Sequence, residues 1–243
     1  MRQYFETSRS QTYSLVFALP LLVLYELGAS AMAERGGSLR NGADVMLRQV
    51  LAIGGVQSTL AFTAILAGIA LVAIVVEQRR KRIPLRAPVF AGMLLESAAY
   101  ATVFGTVVGT VTAFLLGGLG GRLAVQGGAM DKLPTWQGVV LSLGAGIYEE
   151  LFFRVILVGG LILLFRSGGL QRGRSAVFAV ILAGLLFSAF HYIGPYAYPW
   201  SVQSFLFRFL SGLVFSGLFV LRGFGITAWT HALYDVFLTV LGR

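Results

Sequence analysis

Glu149 and Glu150 stand side by side in Gly146-Ile147-Tyr148-Glu149-Glu150-Leu151-Phe152-Phe153-Arg154, within a stretch otherwise apolar enough to cross a lipid bilayer. At helical spacing, Glu150 and Arg154 are four residues apart, stack on one face and can form a buried ion pair. Glu149 is rotated by about 100° from its neighbour. One carboxylate can therefore be neutralised by arginine while the other stays available as a general base. Two adjacent buried carboxylates are also costly to ionise together, which favours that use. A helix-stabilising ion pair alone would account for Glu150 and Arg154 and leave Glu149 without a reason.

The two histidines of the chain, His191 and His231, also fall in apolar segments. His191 closes Phe187-Ser188-Ala189-Phe190-His191, with Phe187 one turn behind it. Taken alone it reads as a hydrogen-bonded core residue. His231 lies in Trp229-Thr230-His231-Ala232-Leu233-Tyr234-Asp235, where the same spacing of four aligns it with Asp235. Asp235 can fix the imidazole tautomer or keep the ring protonated. One glutamate and two histidines also make up the ligand set of a catalytic zinc site, here Glu149, His191 and His231, although the helical HExxH arrangement is absent. Of ten acidic residues, Glu26, Glu96, Glu149, Glu150 and Asp235 lie in apolar segments. Ionisable groups at bilayer depth cost a few kcal/mol each and mark functional sites.

The elements that must position these groups are transmembrane helices. The 243 residues are 57% hydrophobic and 12% charged, with a mean hydropathy of +0.81, too apolar for a water-soluble surface. Apolar run length, punctuated by Gly, Pro and Arg, predicts spans at roughly 12–33, 56–76, 89–117, 138–165, 175–193, 203–221 and 224–241. The fold class is all-α, a polytopic bundle of about seven spans forming a single membrane domain over the whole chain. The first apolar run reads as a span and not as a cleavable leader. Residues Gly42–Gly55, with Val45, Met46, Val50 and Leu51 between Asp44 and Arg48, read as a short amphipathic helix. It is either interfacial or a buried cap over the bundle.

The net charge of +9 does not call for nucleic acid, because the basic residues sit in short connections between spans. Arg79, Arg80, Lys81, Arg82 and Arg86 follow the second span, and the positive-inside rule places them, and with them the N terminus, in the cytoplasm. The absence of cysteine excludes disulfides, thiolate metal sites and a cysteine nucleophile. Many glycines (31) in such a chain point to close helix packing.

Glu149-Glu150 with Arg154, Phe187 with His191, and His231 with Asp235 reproduce, in order and on separate helices, the EExxxR, FxxxH and HxxxN/D motifs. Over roughly residues 138–241, the catalytic motif-bearing helices, the chain thus resembles the CAAX prenyl endopeptidase and bacteriocin-processing (CPBP, or ABI) family of intramembrane glutamic proteases. The resemblance implies Glu149 as general base, His191 as a ligand of the attacking water, and Glu150 and Arg154 as a supporting pair with Phe187. It implies His231 and the residue four positions on as oxyanion donors, with no metal or cofactor. Asp235 departs from the Asn of the eukaryotic and archaeal members. An ionised Asp235 would repel an oxyanion, so either it is held protonated or, the preferred reading, it orients His231, which alone faces the oxyanion.

The expected function is an intramembrane endopeptidase acting on a membrane-associated or lipid-modified protein or peptide, with the lipid bilayer and that substrate as partners and no nucleic acid. The expected location is a bacterial plasma membrane. Zinc is the alternative cofactor. A proton-coupled transporter built on the same ionisable groups is the second class, but it predicts an inverted repeat that the sequence lacks. A non-catalytic scaffold or immunity protein is the third, and it has no use for a complete set of buried ionisable groups. Glu26 and Glu96 either line the cavity or serve as structural hydrogen-bond partners. Arg208 is read as snorkelling to an interface ahead of holding a substrate carboxylate. Tyr192, Tyr196, Tyr198 and Trp200 read as an interfacial aromatic belt.

Overall fold

The computed structural model describes residues 2–35, 39–118, 133–194 and 197–241. Its described elements are helical: α1 (Arg2–Ser8), α2 (Gln11–Glu34), α3 (Gly42–Ile53), α4 (Thr59–Lys81), α5 (Ala87–Leu115), α6 (Thr135–Gly144), α7 (Gly159–Ser167), α8 (Arg172–Phe190), α9 (Val202–Arg222) and α10 (Phe224–Leu241). Serine caps set several starts. Ser10 accepts from the backbone N–H of Tyr13 at the head of α2, Ser58 from that of Ala61 at α4, and Ser201 from that of Ser204 at α9. Arg79, Arg80 and Lys81 fill the last turn of α4, where cations oppose the negative end of the helix dipole.

Six described helices, α2, α4, α5, α8, α9 and α10, are each long and apolar enough to cross a membrane. The remaining expected span, roughly 138–165, is helical from α6 through α7 but is not one regular α-helix. It passes through π-helical stretches at Ala145–Glu149 and Leu151–Val158. Wide turns of this kind put an extra residue into the helix and shift the side chains that follow, and they are frequent at functional sites. The motif residues Glu149, Glu150 and Arg154 sit in or directly beside them. Large apolar side chains such as Leu60, Ile69, Leu71 and Val72 of α4 face outward, a surface that suits hydrocarbon and not water.

α10 is the central helix and packs against α2, α5, α6, α9 and the first π-helical stretch. It follows α9 after a single residue, Gly223, whose φ of 84° is open to glycine and strained for other residues. Gly146 sets the closest approach: a Cβ built there would lie 2.5 Å from the Ala228 carbonyl oxygen and 2.5 Å from the Ala232 Cβ. One of those atoms is backbone, so α10 would have to move. We expect Gly146→Ala to cost about 1–3 kcal/mol by overpacking. Because His231 lies between Ala228 and Ala232, cleavage should fall further than the melting temperature alone explains, which paired thermal-melt and peptide-cleavage measurements check.

Candidate active site

Glu150 lies at the centre of the polar cluster and is fully buried. Its Oε2 is 3.0 Å from Nε of Arg154, an ion contact whose alignment falls short of a hydrogen bond. Its Oε1 is 2.6 Å from Nδ1 of His231 on α10. The spacing of four thus yields the buried pair expected of Glu150 and Arg154, and the carboxylate also ties two helices together. The Arg154 guanidinium is enclosed by aromatic faces, with Phe187 4.5 Å, Phe215 5.4 Å and Phe153 5.9 Å from it. These are cation–π contacts in a desolvated setting, where such attraction is strongest.

His231 stacks on Phe215, ring centroids 4.5 Å apart, and both its nitrogens face carboxylates. Nδ1 meets Glu150, and Nε2 lies 3.4 Å from Asp235 Oδ2, a longer contact to a partly exposed group. Carboxylates only accept, so Nδ1 carries a hydrogen toward Glu150, and the Asp235 contact favours a second on Nε2. His191, at the end of α8, is half-buried. Its Nδ1 lies 2.8 Å from the Phe187 carbonyl oxygen, which can only accept, so the neutral ring keeps its lone pair on Nε2. Phe187 is the spacer between the histidines, its ring 4.7 Å from His191 and 6.2 Å from His231.

Glu149 is buried beside the Glu150 cluster, with no hydrogen bond to it among the described residues. Its Oε1 accepts from Nδ2 of Asn41 at 2.9 Å, while its Oε2 is buried without a hydrogen-bond partner among the described residues. Buried acceptors left single in this way are rare and point to a role. Glu149 also lies within electrostatic reach of His231 and Asp235.

Sequence reasoning missed Asn41. It caps α3, with Oδ1 accepting from the backbone N–H of Ala43, and the same side chain reaches Glu149. α3 is thereby fastened over the π-helical stretch at its start, while Val50 and Ile53 further along are exposed. Of the two readings of this segment, the cap describes its N-terminal end and the amphipathic surface helix its remainder. An ionic network holds that end down. Asp44 accepts from Tyr25 Oη at 2.7 Å, Arg40 at 2.7 Å and Arg48 at 2.5 Å. Glu26 accepts from Arg48 at 2.8 Å and from Tyr148 Oη at 2.6 Å, beside Glu149 in the chain. Burial works against the charge of Arg40, yet its hydrogen bonds to Asp44 and Glu26 prevail and its pKa is raised. Glu26 is thus a structural partner one residue removed from the site. Glu96 is a structural partner too, bound by Arg222, Tyr4 and Tyr100.

We expect Asn41→Ser, which keeps a side-chain oxygen to cap α3 and withdraws the Nδ2–H from Glu149, to leave the protein folded. Cleavage should slow by roughly 10–100-fold, the value of one hydrogen bond to a charged group. Equal rates for variant and wild type, with unchanged melting, would detach Asn41 from the chemistry.

Arg208 corrects the snorkelling expectation: it is 6% exposed and lies against Tyr198 and Tyr192, which fold inward over it. Trp200 is exposed, as a belt residue would be, and Tyr196 lies outside the described residues. Among the described residues, no group of three His, Asp or Glu side chains is arranged to hold a metal ion. The donor set proposed for zinc is a poor fit here, since both His231 nitrogens are turned to carboxylates.

Residues 131–237, a little under half of the chain, match the family model described as type II CAAX prenyl endopeptidase Rce1-like. This stretch holds all three motifs and bears out the resemblance read from them to the CPBP/CAAX protease family, a class of membrane proteases. No curated protein and no solved structure matches the chain.

Proposed function

We propose that the protein is an intramembrane endopeptidase in which Glu149 activates water. The observation that carries this reading is the buried, unpartnered Oε2 of Glu149, held beside a histidine–carboxylate array within a helix that widens at that point. Asn41 steadies Oε1 and leaves Oε2 to take a proton from water. His191, its Nδ1 committed to the Phe187 carbonyl, offers Nε2 to orient that water. The water oxygen adds to the scissile carbonyl carbon, and the charge that develops on the carbonyl oxygen is met by His231. Its Nε2–H is held only loosely by Asp235, while its Nδ1–H is anchored on Glu150. Donors fixed in advance in a dry site stabilise such charge strongly. As the carbon–nitrogen bond breaks, the proton on Glu149 passes to the leaving amine, so hydroxyl and hydrogen of one water end on the two products.

The substrate in this reading is a membrane-associated or lipid-modified protein or peptide, as the prenyl-endopeptidase description of the family suggests. In this reading the basic cluster from Arg79 to Arg86 lies with the N terminus on the cytoplasmic side, as the positive-inside rule favours, and the membrane is a bacterial plasma membrane. The test is cleavage of a library of membrane-anchored peptides by the wild type and Glu149→Ala in proteoliposomes, with and without a chelator, read by mass spectrometry. New termini that require Glu149 and survive the chelator are expected. Identical cleavage by both proteins would remove Glu149 from the mechanism, and loss with chelator that zinc restores would replace it by metal chemistry.

A further inference from the structure

The buried arginines are not alike. Arg154 has Glu150 at 3.0 Å, and Arg222 has Glu96 at 2.6 Å. Arg208 is as deeply buried, yet among the described residues no carboxylate stands within ion-pair distance of it. Among those residues its hydrogen bonds go to Ser204, through Nη1 to the side-chain hydroxyl and the backbone carbonyl. Two tyrosine faces lie against it: Tyr198, 4.0 Å from the guanidinium carbon, and Tyr192, 5.7 Å away and itself hydrogen-bonded to Ser204. A buried charge without a counter-ion is costly, and rings and a hydroxyl offset that cost only in part.

The position matters as much as the charge. The Tyr198 ring lies 6.2 Å from the His191 ring, and the Tyr198 N–H donates to the His191 carbonyl, so Arg208 stands just across one tyrosine from His191. The neighbouring Ile193 and Trp200 are exposed. A guanidinium presents a planar fork that fits a carboxylate with two parallel hydrogen bonds.

We propose that Arg208, framed by Tyr192 and Tyr198, is a binding site for a carboxylate of the substrate. This rests on the hydrolytic reading for its purpose, though not for its chemistry. Arg208 is a binding residue, and the carboxylate supplies the counter-ion that the described residues do not. A peptide bearing a carboxylate a short extended segment away from its reacting bond would be held by both ends of the site, whereas a neutral peptide would be held by one.

The probes are N-decanoyl-alanine, its carboxamide and decyl phosphate, added to the purified wild type, Arg208→Gln and Arg208→Lys, with thermal stability as readout. The acid is expected to raise the melting temperature of the wild type and the amide to leave it unchanged. Arg208→Gln should lose the response and Arg208→Lys should keep part of it, which guards against a variant that merely folds poorly. Equal shifts from acid and amide, no shift from the acid, or an undiminished shift in Arg208→Gln would overturn the proposal. A response confined to decyl phosphate would also overturn it and assign the arginine to lipid headgroups. For any peptide cleaved by the wild type, amidating the recognised carboxylate should raise KM by about 10–100-fold with little change in kcat. If nothing is cleaved but the acid still binds through Arg208, the hydrolytic reading fails and the carboxylate site stands.

Discussion

Glu149→Gln is expected to leave the protein folded and to lower peptide cleavage by about 10²–10⁴-fold, the contribution of a positioned general base. The substitution keeps the shape of the side chain and an acceptor for Asn41 Nδ2, so the tie between α3 and the π-helical stretch survives. What it removes is the ability to take a proton at the second position, where Glu149 Oε2 has no hydrogen-bond partner among the described residues. Catalysis and stability should therefore separate: cleavage falls while the melting temperature stays near that of the wild type. If both fall together, Glu149 is a structural residue whose loss opens the bundle.

The second large effect is on stability. Glu150→Leu should destabilise the protein by about 3–5 kcal/mol, because it leaves the Arg154 charge buried with no partner. A melting temperature lower by roughly 10 °C or more is the expected readout. The double variant Glu150→Leu, Arg154→Met should recover most of that loss. The methionine would occupy the cage of Phe153, Phe187 and Phe215, where a thioether packs well against rings. Neither variant should cleave, since His231 loses the carboxylate that holds its Nδ1. A double variant no more stable than Glu150→Leu would show that the pair does more than neutralise itself.

These expectations depend on contacts that differed widely in how far the sequence disclosed them. The pairing of Glu150 with Arg154 and the alignment of His231 with Asp235 were legible because both are separations of four along one helix, where local geometry suffices. The contact between Phe187 and His191 follows the same rule. That His231 would anchor on Glu150 was not legible, since it joins residues 81 positions apart and depends on the approach of α10 at Gly146. Asn41 escaped notice for a similar reason, as it lies 108 positions from Glu149. Its only local signal was its place before an amphipathic segment, which marks a helix cap and says nothing of a second contact from the same side chain.

The membrane spans were readable from run length, and the ends of α2, α4, α5, α8, α9 and α10 fall within a few residues of expectation. The π-helical turns were not readable, because an apolar stretch has the same composition whether its hydrogen bonds close over four residues or five. Arg208 shows the limit of reading charge from position. A lone arginine among phenylalanines reads as one reaching for the interface, and only the tertiary structure sets Tyr192 and Tyr198 against it.

The most direct measurement is cleavage of a membrane-anchored peptide in ¹⁸O-labelled water under chelator, with the mass of the new C terminus as readout. Hydrolysis by Glu149-activated water should place one heavy oxygen in that carboxylate for the wild type and yield almost no product for Glu149→Gln. Labelled product formed at undiminished rate by Glu149→Gln, or product formed only after zinc is returned, would contradict the assignment.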